Sequence, residues 1–257
     1  MSTSAVIEIL KVRKQFKVKS EVLPVLEDLS LTIQPGEFLS IVGASGCGKS
    51  TLLRLLVGLD RDYQGEIRVG GANVTGTSLD RGIVFQEHRL FPWLTLEQNV
   101  SLGLQNSSWS EQKKRDAVRE HIELVGLTGF ESAFPHQLSG GMAQRAAIAR
   151  GLVNQPSILL LDEPFGALDA LTRTRLQSEL QNIWQREKIT MILVTHDVDE
   201  AVYLGDRVVV MQPRPGRIKK IFPIEVAHPR DRSDPILKQL TEQVRDQILE
   251  GAAVGKA

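Results

Sequence analysis

Gly43-Ala44-Ser45-Gly46-Cys47-Gly48-Lys49-Ser50-Thr51 follows the apolar run 38–42 and opens the helical pattern Leu52, Leu53, Leu55, Leu56. The spacing fits G-x-x-x-x-G-K-[ST], and strand, glycine loop and helix are the context in which that pattern binds phosphate. Glycines let the backbone turn sharply, so that successive N–H groups point inward at phosphate oxygens. The helix N-terminus adds a partial positive charge behind them. In this frame Lys49 reaches the β- and γ-phosphates and the Ser50 hydroxyl is placed to ligate Mg²⁺. A glycine turn that matches by accident is the competing reading, and the flanking strand and helix oppose it. The stretch predicts a nucleoside-triphosphate site.

Later residues narrow the class. Leu138-Ser139-Gly140-Gly141-Met142-Ala143-Gln144-Arg145 leads into an alanine-rich helical pattern. Ile158-Leu159-Leu160-Leu161-Asp162-Glu163 follows, then Gly166-Ala167-Leu168-Asp169, and Val194-Thr195-His196-Asp197 ends another apolar run. Upstream, Ile83-Val84-Phe85 ends in Gln86. In this order the set resembles the nucleotide-binding subunits of ATP-binding cassette (ABC) transporters, over nearly the whole chain. The flanking text, Gln86-Glu87-His88-Arg89-Leu90-Phe91-Pro92-Trp93 and Gly166-Ala167-Leu168-Asp169-Ala170-Leu171-Thr172-Arg173, looks closest to importers of aliphatic sulfonates, with taurine and nitrate importers nearby.

The resemblance implies a P-loop NTPase of α/β class, with a parallel core sheet, an antiparallel β layer and an inserted α-helical subdomain. Periodicity agrees with it. Val6 to Val12 and the period-two residues Leu29, Leu31 and Ile33 read as antiparallel strands, closed by the turn Pro35-Gly36. Short strands are expected at 66–69 and 82–85, and helices at 96–104 and 110–125, with Ser110 as cap and Gly126 as terminator. A helix from Ser139, a strand at 158–161, a helix at 168–186, a strand at 190–194, a helix at 198–204 and a strand at 207–211 follow. Such alternation argues a parallel sheet covered on both faces. Ile236, Leu240, Val244 and Ile248 stand four apart, as on an amphipathic helix. The expected division is a nucleotide core of 1–85 and 153–230, a helical subdomain of 86–152, and a C-terminal helix and tail of 231–257, within one cassette.

Composition excludes several alternatives. Lys+Arg and Asp+Glu both number 31 in 257 residues, so no global field attracts nucleic acid or anionic lipid. The one cysteine, Cys47, excludes an internal disulfide and suits a reducing cytosol. Met1-Ser2-Thr3-Ser4-Ala5 lacks the basic and apolar regions of a signal peptide. No apolar run approaches the ~20 residues that cross a bilayer. A transporter subunit of this kind is expected at the cytoplasmic face of the inner membrane, peripheral, with the pore in another chain.

Individual residues take roles in that frame. Four apolar residues before Asp162 bury its strand and bring the carboxylate out at the strand's C-terminal end, where α/β sheets place ligands. Asp162 is expected to hold Mg²⁺ and the adjacent Glu163 to polarise the attacking water as general base. By resemblance His196 contacts the γ-phosphate and that water, with Asp197 free to cap the following helix. Gln86 contacts Mg²⁺ and the water, and Phe16 occupies the position where relatives stack an aromatic on adenine. Ser139, Gly140 and Gly141 open a second phosphate-seeking helix. The family's arrangement is a head-to-tail homodimer in which each ATP is covered by the partner's Ser139-Gly140-Gly141. Met142 replaces the family's usual glutamine and loses its amide. The apolar cluster Leu90, Phe91, Trp93 and Leu94 could be core, but Pro92 and its place after Gln86 favour a surface for a transmembrane permease subunit. Two such permease subunits and a solute-binding protein complete the implied complex, with no nucleic acid. A soluble ABC ATPase and an ATP-binding regulator that does not hydrolyse are the rivals. One cassette, no coiled-coil insertion and an intact Lys49, Asp162, Glu163 and His196 oppose them.

Overall fold

A computed structural model of the chain describes residues 5–18, 21–166 and 168–254. Ala167, the first four residues behind the expectation of no leader, and 255–257 of the expected tail lie outside them. The chain runs β1 (Ile7–Val18), β2 (Glu21–Ile33), β3 (Phe38–Gly43), α1 (Lys49–Leu56), β4 (Gln64–Val69), β5 (Ala72–Asn73) and β6 (Arg81–Val84). Three helices come next, α2 (Leu96–Ser101), α3 (Glu111–Leu124) and α4 (Gly140–Leu152). Then follow β7 (Ile158–Asp162), α5 (Ala170–Glu187), β8 (Thr190–Thr195), α6 (Val198–Leu204), β9 (Arg207–Gln212), β10 (Arg217–Pro223) and α7 (Pro235–Val254).

Strands form an antiparallel sheet of order β2-β1-β4-β5 and a six-stranded sheet of order β10-β9-β3-β8-β7-β6. Neighbours from β9 to β6 pair in parallel, while β10 is an antiparallel edge. The expected parallel core sheet is present, and β10 adds to it an edge strand that the sequence reading did not include. In β10 only Phe222 is buried, so the strand lacks the apolar run that identified its neighbours. The hairpin β1–β2 is also longer than expected. Its outer half pairs Gln15–Val18 with Glu21–Pro24 and leaves residues 21–24 exposed, which removes the in–out alternation there.

Helix ends follow the side chains that can satisfy free N–H groups. Thr95 and Gln98 form a capping box on α2, and Ser110, Ser139, Asp169 and Asp197 cap α3, α4, α5 and α6. Because Asp169 accepts from Leu171 and Thr172, α5 begins at Ala170 rather than at 168. Likewise α7 starts at Pro235, where Leu237 and Val244 are buried and Ile236 remains 57% exposed. Ile236 overhangs the helix start instead of joining the apolar face.

The parallel sheet is covered on both sides. Leu159 and Leu161 join a cluster with Leu96, Val118 and Ile148 of the helical block, while Ile158 and Leu160 join α1 and the antiparallel sheet. Period two thus sorts an unbroken apolar run onto two cores. Among the described residues no helix is long and apolar enough to cross a membrane.

Candidate nucleotide-binding site

Strand order makes the site. β3, β8, β7 and β6 are consecutive and parallel, so their C-terminal ends lie along one edge of the sheet. From that edge emerge the loop after Gly43, the pair Asp162-Glu163, His196 and, two residues beyond β6, Gln86. Groups more than a hundred residues apart in sequence therefore meet at one cleft, of about 330 Å³, lined by Ser45, Gly46, Lys49, Ser50, Glu163 and His196. Gly43, Ala44, Cys47, Gly48 and Thr51 complete its loop and first helical turn.

Gly48 has φ 92° and caps α1. A Cβ there would come within 2.5 Å of the Leu26 side chain, so glycine is required both by the dihedral and by the packing. Lys49 is buried, and its Nζ donates to the carbonyls of Gly43 at 2.8 Å and Ala44 at 3.4 Å. The ammonium is thereby held inside the loop. Cys47 is fully buried beneath it. Burial pushes its thiol up despite the neighbouring Lys49, which makes it packing rather than a nucleophile.

Ser50 Oγ donates to Asp162 Oδ1 at 2.9 Å. Burial raises the Asp162 carboxyl and the Ser50 hydrogen bond opposes the shift. A partly buried carboxylate beside a hydroxyl at a helix N-terminus is a hard-oxygen pair that fits Mg²⁺ completed by phosphate oxygens and water. Glu163 sits at φ 46°, and its N–H donates to the Val194 carbonyl at 2.8 Å. Its Oε2 lies 3.0 Å from His196 Nδ1. A carboxylate only accepts, so Nδ1 carries the proton of that bond. Left-handed backbone in a non-glycine residue is costly and concentrates at functional positions. Here it turns Glu163 away from Asp162 and toward His196. A Cβ placed on Gly166 would lie 3.5 Å from Gln86 Nε2 and 3.9 Å from Glu163 Oε2, so both side chains reach the Gly166 backbone at this edge.

Phe16 is 40% exposed on β1. It lines a second hollow of about 660 Å³ with Pro24, Leu26 and Tyr63. Leu26 is also the residue packed against Gly48, so this hollow borders the phosphate loop; Lys14 Nζ stands over the Phe16 ring, 4.7 Å from its centroid. Ser139 and Gly141 line a separate hollow of about 200 Å³ with Thr172 and Glu179, which shares no residue with the phosphate cleft. Gly140 is exposed beside them.

Phe91 and Trp93 are 42% and 69% exposed, with ring centroids 5.4 Å apart, while Leu90 is buried. Sequence reasoning missed what holds them. Asn99 is fully buried; its Oδ1 accepts from Phe91 N at 2.8 Å, and its Nδ2 donates to the carbonyls of Phe91, Leu94 and Thr95. Its signal was a polar residue on the apolar face of α2, between Leu96 and Val100. Gln144 donates to the Phe85 carbonyl at 3.3 Å, tying α4, the helix opened by the signature residues Ser139-Gly140-Gly141, to the strand end that carries Gln86.

Comparison with known proteins agrees with this geometry. The family profile described as ABC transporter matches residues 26–166. The chain is 51% identical over 224 residues to the aliphatic sulfonates import ATP-binding protein SsuB of Bacillus subtilis (strain 168), covering 87% of each chain. It is 46% identical over 248 residues to the protein of the same name from Bacillus thuringiensis subsp. konkukian, covering 96% of this chain and 98% of that one. Among solved structures, a dimeric ATP-binding cassette in a post-hydrolysis state bound to ADP and Pi superposes with a TM-score of 0.75 at 32% identity, over 86% of this chain and all of the other.

Proposed function

Because the chain belongs to the ABC transporter family, we propose that it is the ATP-hydrolysing subunit of an importer of aliphatic sulfonates. ATP binding and hydrolysis follow from the family. The sulfonate is carried by the likeness to sulfonate-import proteins over nearly the full chain, since nothing in an ATPase subunit touches the solute.

Each residue of the cleft has a task in this reading. Loop N–H groups and the α1 N-terminus hold the phosphates, and Lys49 leaves its loop carbonyls for β- and γ-phosphate oxygens. Ser50, Asp162 and Gln86 would hold Mg²⁺, which would supply charge neutralisation at the β- and γ-phosphates. Glu163 takes the proton of the attacking water, and His196, hydrogen-bonded to Glu163, fixes its orientation beside the γ-phosphate. Phe16 stacks on the adenine.

The cleft leaves Ser139-Gly140-Gly141 unused. We place these residues over the ATP of a second copy, so that a homodimer encloses two nucleotides, with support from the dimeric form of a 32% identical cassette. The exposed Phe91–Trp93 pair is assigned to one of two membrane permease subunits, and a solute-binding protein delivers substrate to the complex. The working location is the cytoplasmic face of the membrane, peripheral. Residues 1–85 and 153–230 act as the nucleotide core with its β layer, 86–152 as the helical signature subdomain and 231–257 as a C-terminal helix and tail.

A deletion strain grown with an alkanesulfonate as sole sulfur source tests the solute. Growth is expected to fail and to return with the wild-type gene but not with Glu163→Gln. Normal growth on sulfonates with lost taurine or nitrate uptake would reassign the substrate to those relatives.

A further inference from the structure

His196 stands on a turn whose footing is a buried polar chain. Thr195 Oγ1, immediately before it, accepts from the Asp197 N–H at 3.1 Å and contacts Glu200 Oε2. Glu200 Oε1 accepts from Gln177 Nε2 at 2.7 Å. Gln177 Oε1 in turn accepts from Arg232 Nη2, whose guanidinium lies over the Tyr203 ring. Thr195, Gln177 and Glu200 are all buried. Such an arrangement exceeds what capping α6 requires, because Asp197 already accepts from the Glu200 N–H.

We propose that Glu200 is a positioning residue for ATP hydrolysis, acting through Thr195 to set where His196 stands against Glu163. Glu200 is buried and does not line the phosphate cleft. The inference rests on the reading of His196 given above.

The hydrogen bonds fix how the carboxyl works. Arg232 has donors only, so Gln177 must turn its carbonyl to Arg232 and its NH₂ to Glu200. Oε1 of Glu200 is therefore an acceptor in every state, and any proton on the carboxyl resides on Oε2, facing Thr195. When Glu200 is charged, the Thr195 hydroxyl donates to it and keeps a lone pair for the Asp197 N–H. When Glu200 is neutral, Oε2–H must donate to Thr195 Oγ1 and the hydroxyl hydrogen loses its partner. Each protonation is felt one residue from His196. Burial, with Asp197 adding to it, raises this carboxyl to about 7 against the pull of the Thr195 and Gln177 hydrogen bonds and Arg173. Arg173 and Asp197 also pair with each other at 3.6 Å. With Arg232 behind Gln177, these are the charged groups that face Glu200 from α5, α6 and the segment before α7. The charged form satisfies the whole chain, so turnover should rise with pH through about 7.

Glu200→Gln keeps the size of the side chain and locks the neutral pattern, with an amide donor facing Thr195. Removing a buried charge is not expected to lower the melting temperature at pH 8. Turnover at pH 8 is expected to fall roughly tenfold, below the ~100-fold ceiling for an ångström-scale misplacement, with KM for ATP within about twofold because the phosphate loop is untouched. The rise through neutrality should vanish. Thr195→Val should give the same flat profile, and the double variant should be no worse than either single one. His196→Ala is the reference. If it turns over like wild type, the histidine reading fails whatever Glu200 does. If it is impaired while Glu200→Gln keeps the wild-type rate and pH limb, this inference alone is overturned. A fall in Glu200→Gln that keeps the limb, or that tracks a lower melting temperature, overturns it as well.

Discussion

Gly140→Asp separates a site completed within one chain from a site completed by two. Gly140 lies in the first turn of α4, and a Cβ built on it meets only Leu168 Cδ2, at 3.8 Å. That is ordinary contact, so the chain itself has room for a side chain. An aspartate in the first turn also complements the helix dipole, which is worth about 0.3–1 kcal/mol. The stability of the single chain should therefore stay within about 1 kcal/mol of wild type. Against a partner's triphosphate the outcome differs. One added negative charge ~4 Å from a phosphate charge costs about 4 kcal/mol at an effective dielectric constant of ~20, which is about three orders of magnitude in dimer affinity for each of the two sites. The assay combines nucleotide titration of the monomer, gel filtration with Mg-ATP and steady-state turnover. ATP affinity and melting temperature should hold while dimer and turnover disappear. Loss of ATP affinity with the fold intact would put Gly140 in the primary pocket, and an undiminished dimer would equally refute the composite site.

Glu163→Gln keeps the shape beside His196 and removes the base, so hydrolysis should fall by about 10²–10⁴-fold while a closed Mg-ATP dimer accumulates; wild-type turnover would end the assignment. Phe91→Ala with Trp93→Ala should cost about 2 kcal/mol in all, since the rings are already 42% and 69% exposed and full burial is worth ~1.5–3 kcal/mol per side chain. Basal ATPase should persist while co-purification with permease subunits fails, and a loss near the ~6–10 kcal/mol of two core aromatics would return the pair to the core.

The residues of the site were legible because each carries a local pattern: a glycine loop between strand and helix, acidic residues after a buried run, a histidine after another. Their convergence was not. It depends on β8 and β7 lying between β3 and β6, a strand order that no period in the sequence encodes. The Glu163–His196 bond needed the left-handed turn at Glu163, which nothing in Asp162-Glu163-Pro164 announces. Asp197 was legible as the cap of α6 because its chemistry is local. The clamp by Asn99 was not, since Phe91 and Leu94 become its partners only when residues 91–94 fold back over α2. The edge strand β10 escaped for the opposite reason: it is half exposed on an antiparallel edge, where hydrophobic patterning is weakest.

The signature turn itself separates internal from external demands. Ser139 is required by its own helix, because its Oγ accepts the Met142 N–H at 3.3 Å. Gly141 is required by packing, because a Cβ there would lie 2.5 Å from Thr172 Cγ2, at the residue whose N–H is held by the Asp169 cap. Met142 contributes its backbone to the turn and rests its side chain against the helical core, so exchanging an amide for a thioether costs this chain nothing in folding. Gly140 differs from all three. Nothing in its own chain crowds it, and its φ is not positive. In a helix interior alanine would be preferred by about 1 kcal/mol, and at the first position of α4 the same preference applies in smaller measure. A glycine kept against that preference, exposed at a helix N-terminus, is accounted for by something that approaches the backbone closely from outside. In the homodimer proposed above, the partner's γ-phosphate is the group that we place there.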